Sequence, residues 1–112
     1  MTNDEICDAI ANKQAVCIKG WGREWLILPR LFGLDPDGNL RLAYQLLDFD
    51  KVLPQYSPEA GDEWRHTSLR PYACGKEAMT RARLILDAHT IDPYAAIPLH
   101  MQSGIAKVLG AG

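Results

Sequence analysis

No stretch of this sequence approaches the ~18 consecutive apolar residues of a membrane-spanning helix. Cysteine is scarce. The 3 present, Cys7, Cys17 and Cys74, are odd in number and far apart. That argues against a disulfide framework, and no close C-x-x-C spacing offers a zinc site. Positive charge is not in excess, because 12 Lys and Arg face 14 Asp and Glu for a net charge of -2. The chain therefore has no global basic field that would demand nucleic acid. The N-terminus is acidic, whereas a signal peptide needs a basic start and an apolar core. A reducing cytoplasm is the expected compartment.

The 112 residues present suffice for a single domain with its own core. Charge is unevenly placed along them. Between Lys13 and Arg30 stand Lys13, Lys19, Arg23 and Arg30 against Glu24 alone. Between Arg65 and Arg83 stand Arg65, Arg70, Lys76, Arg81 and Arg83 against Glu77. If these two stretches met in space, the molecule would carry a basic face despite its acidic balance.

Thr2-Asn3-Asp4-Glu5 reads as a capping box, and Ile6, Ala9 and Ile10 follow on one helical face. A short helix ending near Asn12-Lys13 is expected. The stretch from Ala15 to Leu46 has a β pattern throughout. Val16 and Ile18 point one way, and Ala15 and Cys17 the other. Gly20-Trp21-Gly22 makes a turn, and Arg23–Leu28 returns with Trp25 and Ile27 opposite Leu26 and Leu28. Both faces of that return strand are apolar, which suits a central or strongly curved position. Pro29 is expected to mark a strand end or an edge, and Leu31–Leu34 to be a separate short strand. Asp35-Pro36-Asp37-Gly38 has turn chemistry. Leu40–Leu46 alternates cleanly, with Leu42 and Tyr44 on one face and Ala43 and Gln45 on the other.

From Asp48 to Glu63 runs a polar connection holding Tyr56, long for a compact domain and so suited to a functional or disordered loop. Trp64–Leu69 reads as a further strand. Residues 76–89 fit either a helix or a strand. The need of a small barrel for a closing strand decides for a strand over about Arg81–Asp87. Asp92-Pro93 reads as a helix start, and Gln102–Leu109 as a last short helix. The expected architecture is α+β: a small, strongly bent antiparallel β-barrel with an N-terminal helix and C-terminal helical segments. Closure would remove sheet edges in a chain with few strands.

Several of these residues together resemble a known family. Asp8-Ala9-Ile10 lies in the first helix and a hairpin follows. Then come Leu28-Pro29-Arg30, Leu31-Phe32-Gly33, a Gly38-Asn39 turn, Leu40 to Gln45, and Trp64-Arg65 opening the next strand. This pattern is similar to the WYL-like domains, in short stand-alone versions where Ala43-Tyr44-Gln45 replaces Trp-Tyr-Leu. The resemblance covers residues 6–69 as the barrel core and leaves residues 70–112 as a C-terminal extension. It implies an Sm-like barrel acting as a ligand-sensing regulatory module, of a kind that accompanies transcription regulators and phage-defence systems. The family's site, lined by an aromatic, a tyrosine and arginines, is thought to take nucleotides or nucleic-acid ends. Tyr44 matches the motif tyrosine, and Trp64 and Arg65 match the later Trp-Arg. Thr67 stands where the family usually has phenylalanine. Leu69-Arg70-Pro71 stands where Asp-Arg is expected, and no helix-turn-helix precedes the domain.

The candidate ligand site is therefore Tyr44, Trp64, Arg65 and Arg23, with arginines for phosphate and aromatics for base stacking. Against it stands the ordinary reading of buried aromatics and solvated arginines. Trp21, between two glycines at a hairpin tip, is a candidate partner anchor or else folds back on the sheet. Cys74 with His66 or His89 as nucleophile and base, or with His100 at a metal, lacks any supporting spacing. Asp48 and Asp50 read as solvated loop acids rather than a catalytic pair. The expected function is non-enzymatic: a regulatory module sensing a nucleotide or single-stranded nucleic acid, with no cofactor, metal or membrane. The alternative is a small protein-interaction module, such as an inhibitor or adaptor from a phage or mobile element. The apolar C-terminal tail suits a homodimer contact.

Overall fold

A computed structural model describes residues 1–48, 57 and 61–112. Tyr56 and Asp50 lie outside the described residues, as does most of the 48–63 connection. Helix α1 spans Asn3–Ala11, and its capping box is complete. The Glu5 N–H donates to Thr2 Oγ1 at 3.2 Å, and the Thr2 N–H donates to Glu5 Oε1 at 2.9 Å. Ile6, Ala9 and Ile10 form its buried stripe.

Strands β1 (Val16–Gly20), β2 (Arg23–Leu34), β3 (Leu40–Leu46) and β4 (Trp64–Thr67) pair in sequence order, all antiparallel. β2 is one strand of 12 residues, not two. Pro29 ends nothing: it is buried inside β2, where the register against β3 shifts between Pro29 and Leu31. The reason lies in peptide direction. Leu26 O accepts from the Leu47 N–H on the β3 side, so alternation turns Ile27 and Pro29 toward the other side. There β1 has finished pairing at Ile27, and the next partner begins only at Leu31. The missing N–H of Pro29 falls in that gap.

The next partner is β5 (Lys107–Ala111), which follows β1 along the same side of β2. A helix was expected over Gln102–Leu109. What forms is a single 3-10 turn at Leu99–Met101 and then this strand. Gly33 admits it closely, because a Cβ there would collide with the Lys107 carbonyl oxygen. The helix–strand choice at 76–89 resolves the opposite way from the expectation: α2 spans Lys76–Asp87. Ala78 and Ala82, four apart, are its buried contacts. The barrel's demand for a closing strand was the misleading premise, since the added strand comes from residues 107–111. Asp92-Pro93 starts a turn rather than a helix, with Asp92 Oδ1 accepting from the Tyr94 N–H at 2.9 Å. The five-strand sheet is not closed among the described residues. β1 and β5 lie along one side of β2, and β4 ends the path on the other.

Two cores form, one on each face of the sheet. The first joins Ile6, Ala9 and Ile10 of α1 to Val16, Ile18, Ile27, Phe32, Leu42, Tyr44 and Leu46. The second joins Ala15, Cys17, Leu26 and Leu28 to Leu47, Ala78, Ala82 and Ile91. The alternation of β1 and β2 divides their residues between these cores as the sequence pattern required. Among the described residues, no helix is long and apolar enough to cross a membrane.

Candidate functional site

Directly opposed residues of an antiparallel pair project to the same face. Ile27 faces Leu46 across β2 and β3, and Tyr44 faces Arg65 across β3 and β4. Trp25, Ile27, Leu46, Tyr44 and Arg65 therefore share the face that carries the first core. At its outer end, where α1 contributes no residue, a cleft of about 640 Å³ opens. Trp25, Tyr44 and Arg65 line it together with Trp21 from the hairpin tip, Trp64 and His66 from β4, and His100 and Met101 from the 3-10 turn. Its size falls within the ~300–1,000 Å³ common for small-molecule sites.

The aromatic wall is fixed by local bonds. The Trp25 indole N–H donates to Gly20 O at 3.1 Å, and the Arg23 guanidinium sits 5.3 Å from the Trp25 ring centre. Tyr44 is 4% exposed. Burial pushes its phenol up from the ordinary value, and nearby Arg65 pulls partly back. Arg65 Nε donates to Asp62 O at 3.3 Å. This holds the base of the side chain against the turn that enters β4. Asp62 also lines the cleft and adds one acid to it.

Trp64 has a second duty. It pairs with Gln45 and so belongs to the opposite face from Tyr44. There Arg30 is 3% exposed and lies 5.1 Å from the Trp64 ring centre. Arg30 donates to Gln45 Oε1 at 2.8 Å and to the carbonyls of Ala95 and Gly112. Burial holds its guanidinium below the usual range, with Asp92 opposing. Trp64 is thus anchored by a buried arginine behind the sheet.

Of the sequence-nominated set, the structure brings Tyr44, Trp64 and Arg65 to one cleft, with Trp21 at its mouth and Arg23 stacked behind Trp25. Arg65 of one basic stretch lines this cleft with Arg23 of the other against its Trp25 wall, and Lys13 and Arg83 share a separate groove with Asp87. The other arginines and lysines with contacts disperse: Arg30 is buried, Arg81 pairs with Asp48 at 3.2 Å, Arg70 binds Met1 O and Asn3, and Lys13 lies over Tyr94. No basic face results from them. Trp25 was absent from the nominated set, although its alternation with Ile27 places it on this face. His100 and Met101 had no signal, because they arrive through a distant turn packed on β4.

Asp48 is not a solvated loop acid. It is fully buried and accepts from the Leu26 N–H at 2.6 Å and from Arg81. No three His, Cys, Asp or Glu side chains converge as a metal site among the described residues. No family model, curated protein or solved structure matches the chain.

Proposed function

We propose that this chain is a non-enzymatic ligand-binding module of WYL-like type that takes a nucleotide or a single-stranded nucleic-acid end in the Tyr44–Arg65 cleft. The observation that carries the reading is the register placing Tyr44 directly opposite Arg65, beside the indoles of Trp25 and Trp21. A guanidinium supplies charge-assisted bonds to phosphate, and the indoles supply stacking surface for a base. The bulge in β2 and its two successive partners on one side support a sheet bent toward an Sm-like barrel. The module would work in a reducing cytoplasm.

Nucleotides and short oligonucleotides titrated at low and high salt test the reading. Binding should weaken with salt. Arg65→Ala should cost about tenfold or more in affinity and lower the salt slope by about one. No binding at low salt, or binding indifferent to Arg65→Ala, removes the proposal.

A second reading, a protein-interaction module, rests on Trp21, which is 82% exposed at the tip of the β1–β2 hairpin. Pull-down with intact protein and Trp21→Ala separates the two. A partner captured equally by both proteins does not use this anchor.

A further inference from the structure

Cys17 and Cys74 are 57 positions apart in sequence, yet their sulfurs approach to 2.9 Å. The backbone brings them together. The segment before α2 lies alongside β1: the Cys17 N–H donates to Tyr72 O at 3.0 Å, and the Tyr72 N–H donates to Cys17 O at 2.8 Å. Cys74, two residues on from Tyr72, projects to the same side as Cys17. The segment is tethered further by the Tyr72 hydroxyl, which donates to the Glu24 carboxylate, and by Pro71 O, which accepts from the Met1 amino group. The sulfurs therefore need to close by only about 0.9 Å to reach the ~2.05 Å of a disulfide.

We propose that Cys17 and Cys74 are a site of reversible oxidation, a dithiol that closes to a disulfide and clasps β1 to the segment ahead of α2. Access sets the order of the steps. Cys17 is fully buried, while Cys74 is partly exposed. The Cys74 thiolate attacks one sulfur of a small disulfide oxidant, of the glutathione disulfide class, and the first thiol leaves. The Cys17 thiolate then attacks the Cys74 sulfur of the mixed disulfide, and the second thiol leaves. Two electrons pass to the oxidant, and the two protons of the pair end on the released thiols.

The third cysteine does not compete. Cys7 packs against the first core, and its thiol donates to Leu109 O at 3.4 Å. Cys17 and Cys74 belong to the second core, on the other face of the sheet. Burial raises both thiols of the pair above their ordinary value, so they are protonated at neutral pH and exchange slowly. Arg81 opposes this at Cys74 and favours it as the first thiolate. The inference stands apart from the ligand reading, since neither cysteine lines the cleft.

The test equilibrates the whole chain in glutathione buffers from reducing to oxidising. It is then denatured, alkylated and measured by intact mass and peptide mapping. Toward the oxidising end the protein should lose two hydrogen atoms and retain one alkylatable thiol, on Cys7, with a peptide cross-link joining Cys17 to Cys74. Reductant should reverse the change. Cys7→Ser should keep the mass loss, and Cys74→Ala should abolish it. Three alkylated thiols at the oxidising end would overturn the proposal. So would a glutathione adduct on Cys74 that never closes, or a mass loss that survives Cys74→Ala.

Discussion

Asp48 shows how much a single side chain holds here. Its carboxylate caps the Leu26 N–H in the middle of β2 and also reaches Arg81 of α2. It joins the sheet to the helix on its second face. Asp48→Ala leaves a buried N–H without its acceptor and should cost about 2–3 kcal/mol, read as a lower urea midpoint with unchanged slope. Asp48→Asn keeps an acceptor and should cost less. Trp21 is the converse case, a residue kept against local preference. Its φ is 53° and that of Gly22 is 76°, the left-handed pair of a tight two-residue hairpin. A tryptophan is strained there and asparagine is at ease. Trp21→Asn should raise stability by about 1 kcal/mol in thermal melts while weakening whatever the exposed indole binds. Gly20-Trp21-Gly22 carries a turn signal in the sequence, and glycine is the residue at ease with positive φ. In the structure Trp21 and Gly22 take it, and Gly20 belongs to β1.

At the scale of elements, β2 is the organising piece. It meets β1 and β5 in succession along one side, and β3 along the other. Its second half accepts β5 only because Gly33 has no side chain. Gly33→Ala puts a Cβ into the Lys107 carbonyl and against Ile105. It should cost about 1–3 kcal/mol, with amide exchange accelerating first in residues 107–111. The first helix and strands β1, β3 and β4 were legible because capping, turn chemistry and alternation are local signals. The run 76–89 was not, because Leu84, Ile85 and Leu86 satisfy helical and strand spacing alike. There the contacts of Ala78 and Ala82 with the second core decide for helix. β5 was illegible for a related reason: Lys107–Ala111 has little propensity of its own, and its pairing partner lies more than 70 positions away.

The whole molecule should be more sensitive to base than its acidic composition suggests. Burial raises Cys17, Cys74 and Tyr44 above their ordinary values, and Tyr72 is raised as well, with its bond to Glu24 adding to burial. All four are acids whose neutral form the fold prefers. Once the pH passes 9.0, the ordinary thiol value, the unfolded chain releases protons that the folded chain keeps. The stability contributed by these groups is therefore complete below that pH and is lost as pH rises through the higher folded values. Urea midpoints measured from neutral to alkaline pH should fall beyond about pH 9, and Cys74→Ala should flatten the onset. A midpoint rising across that range would contradict the burial of these groups.

The sequence by itself determined the local grammar: the capped first helix, the turns at residues 20–22 and 35–38, the two apolar faces of the central strand, and a strand that opens on Trp64-Arg65. Each follows from spacing, φ preference or hydrogen-bond capacity within a few residues. Only the tertiary structure decided which strand fills the sheet beside β2, that Pro29 sits in the gap between two partners, and that Asp48 and Arg30 are buried. It also decided that Cys17 and Cys74 meet. These depend on contacts between residues tens of positions apart, where chain closure and shared burial set the outcome and no local pattern records it.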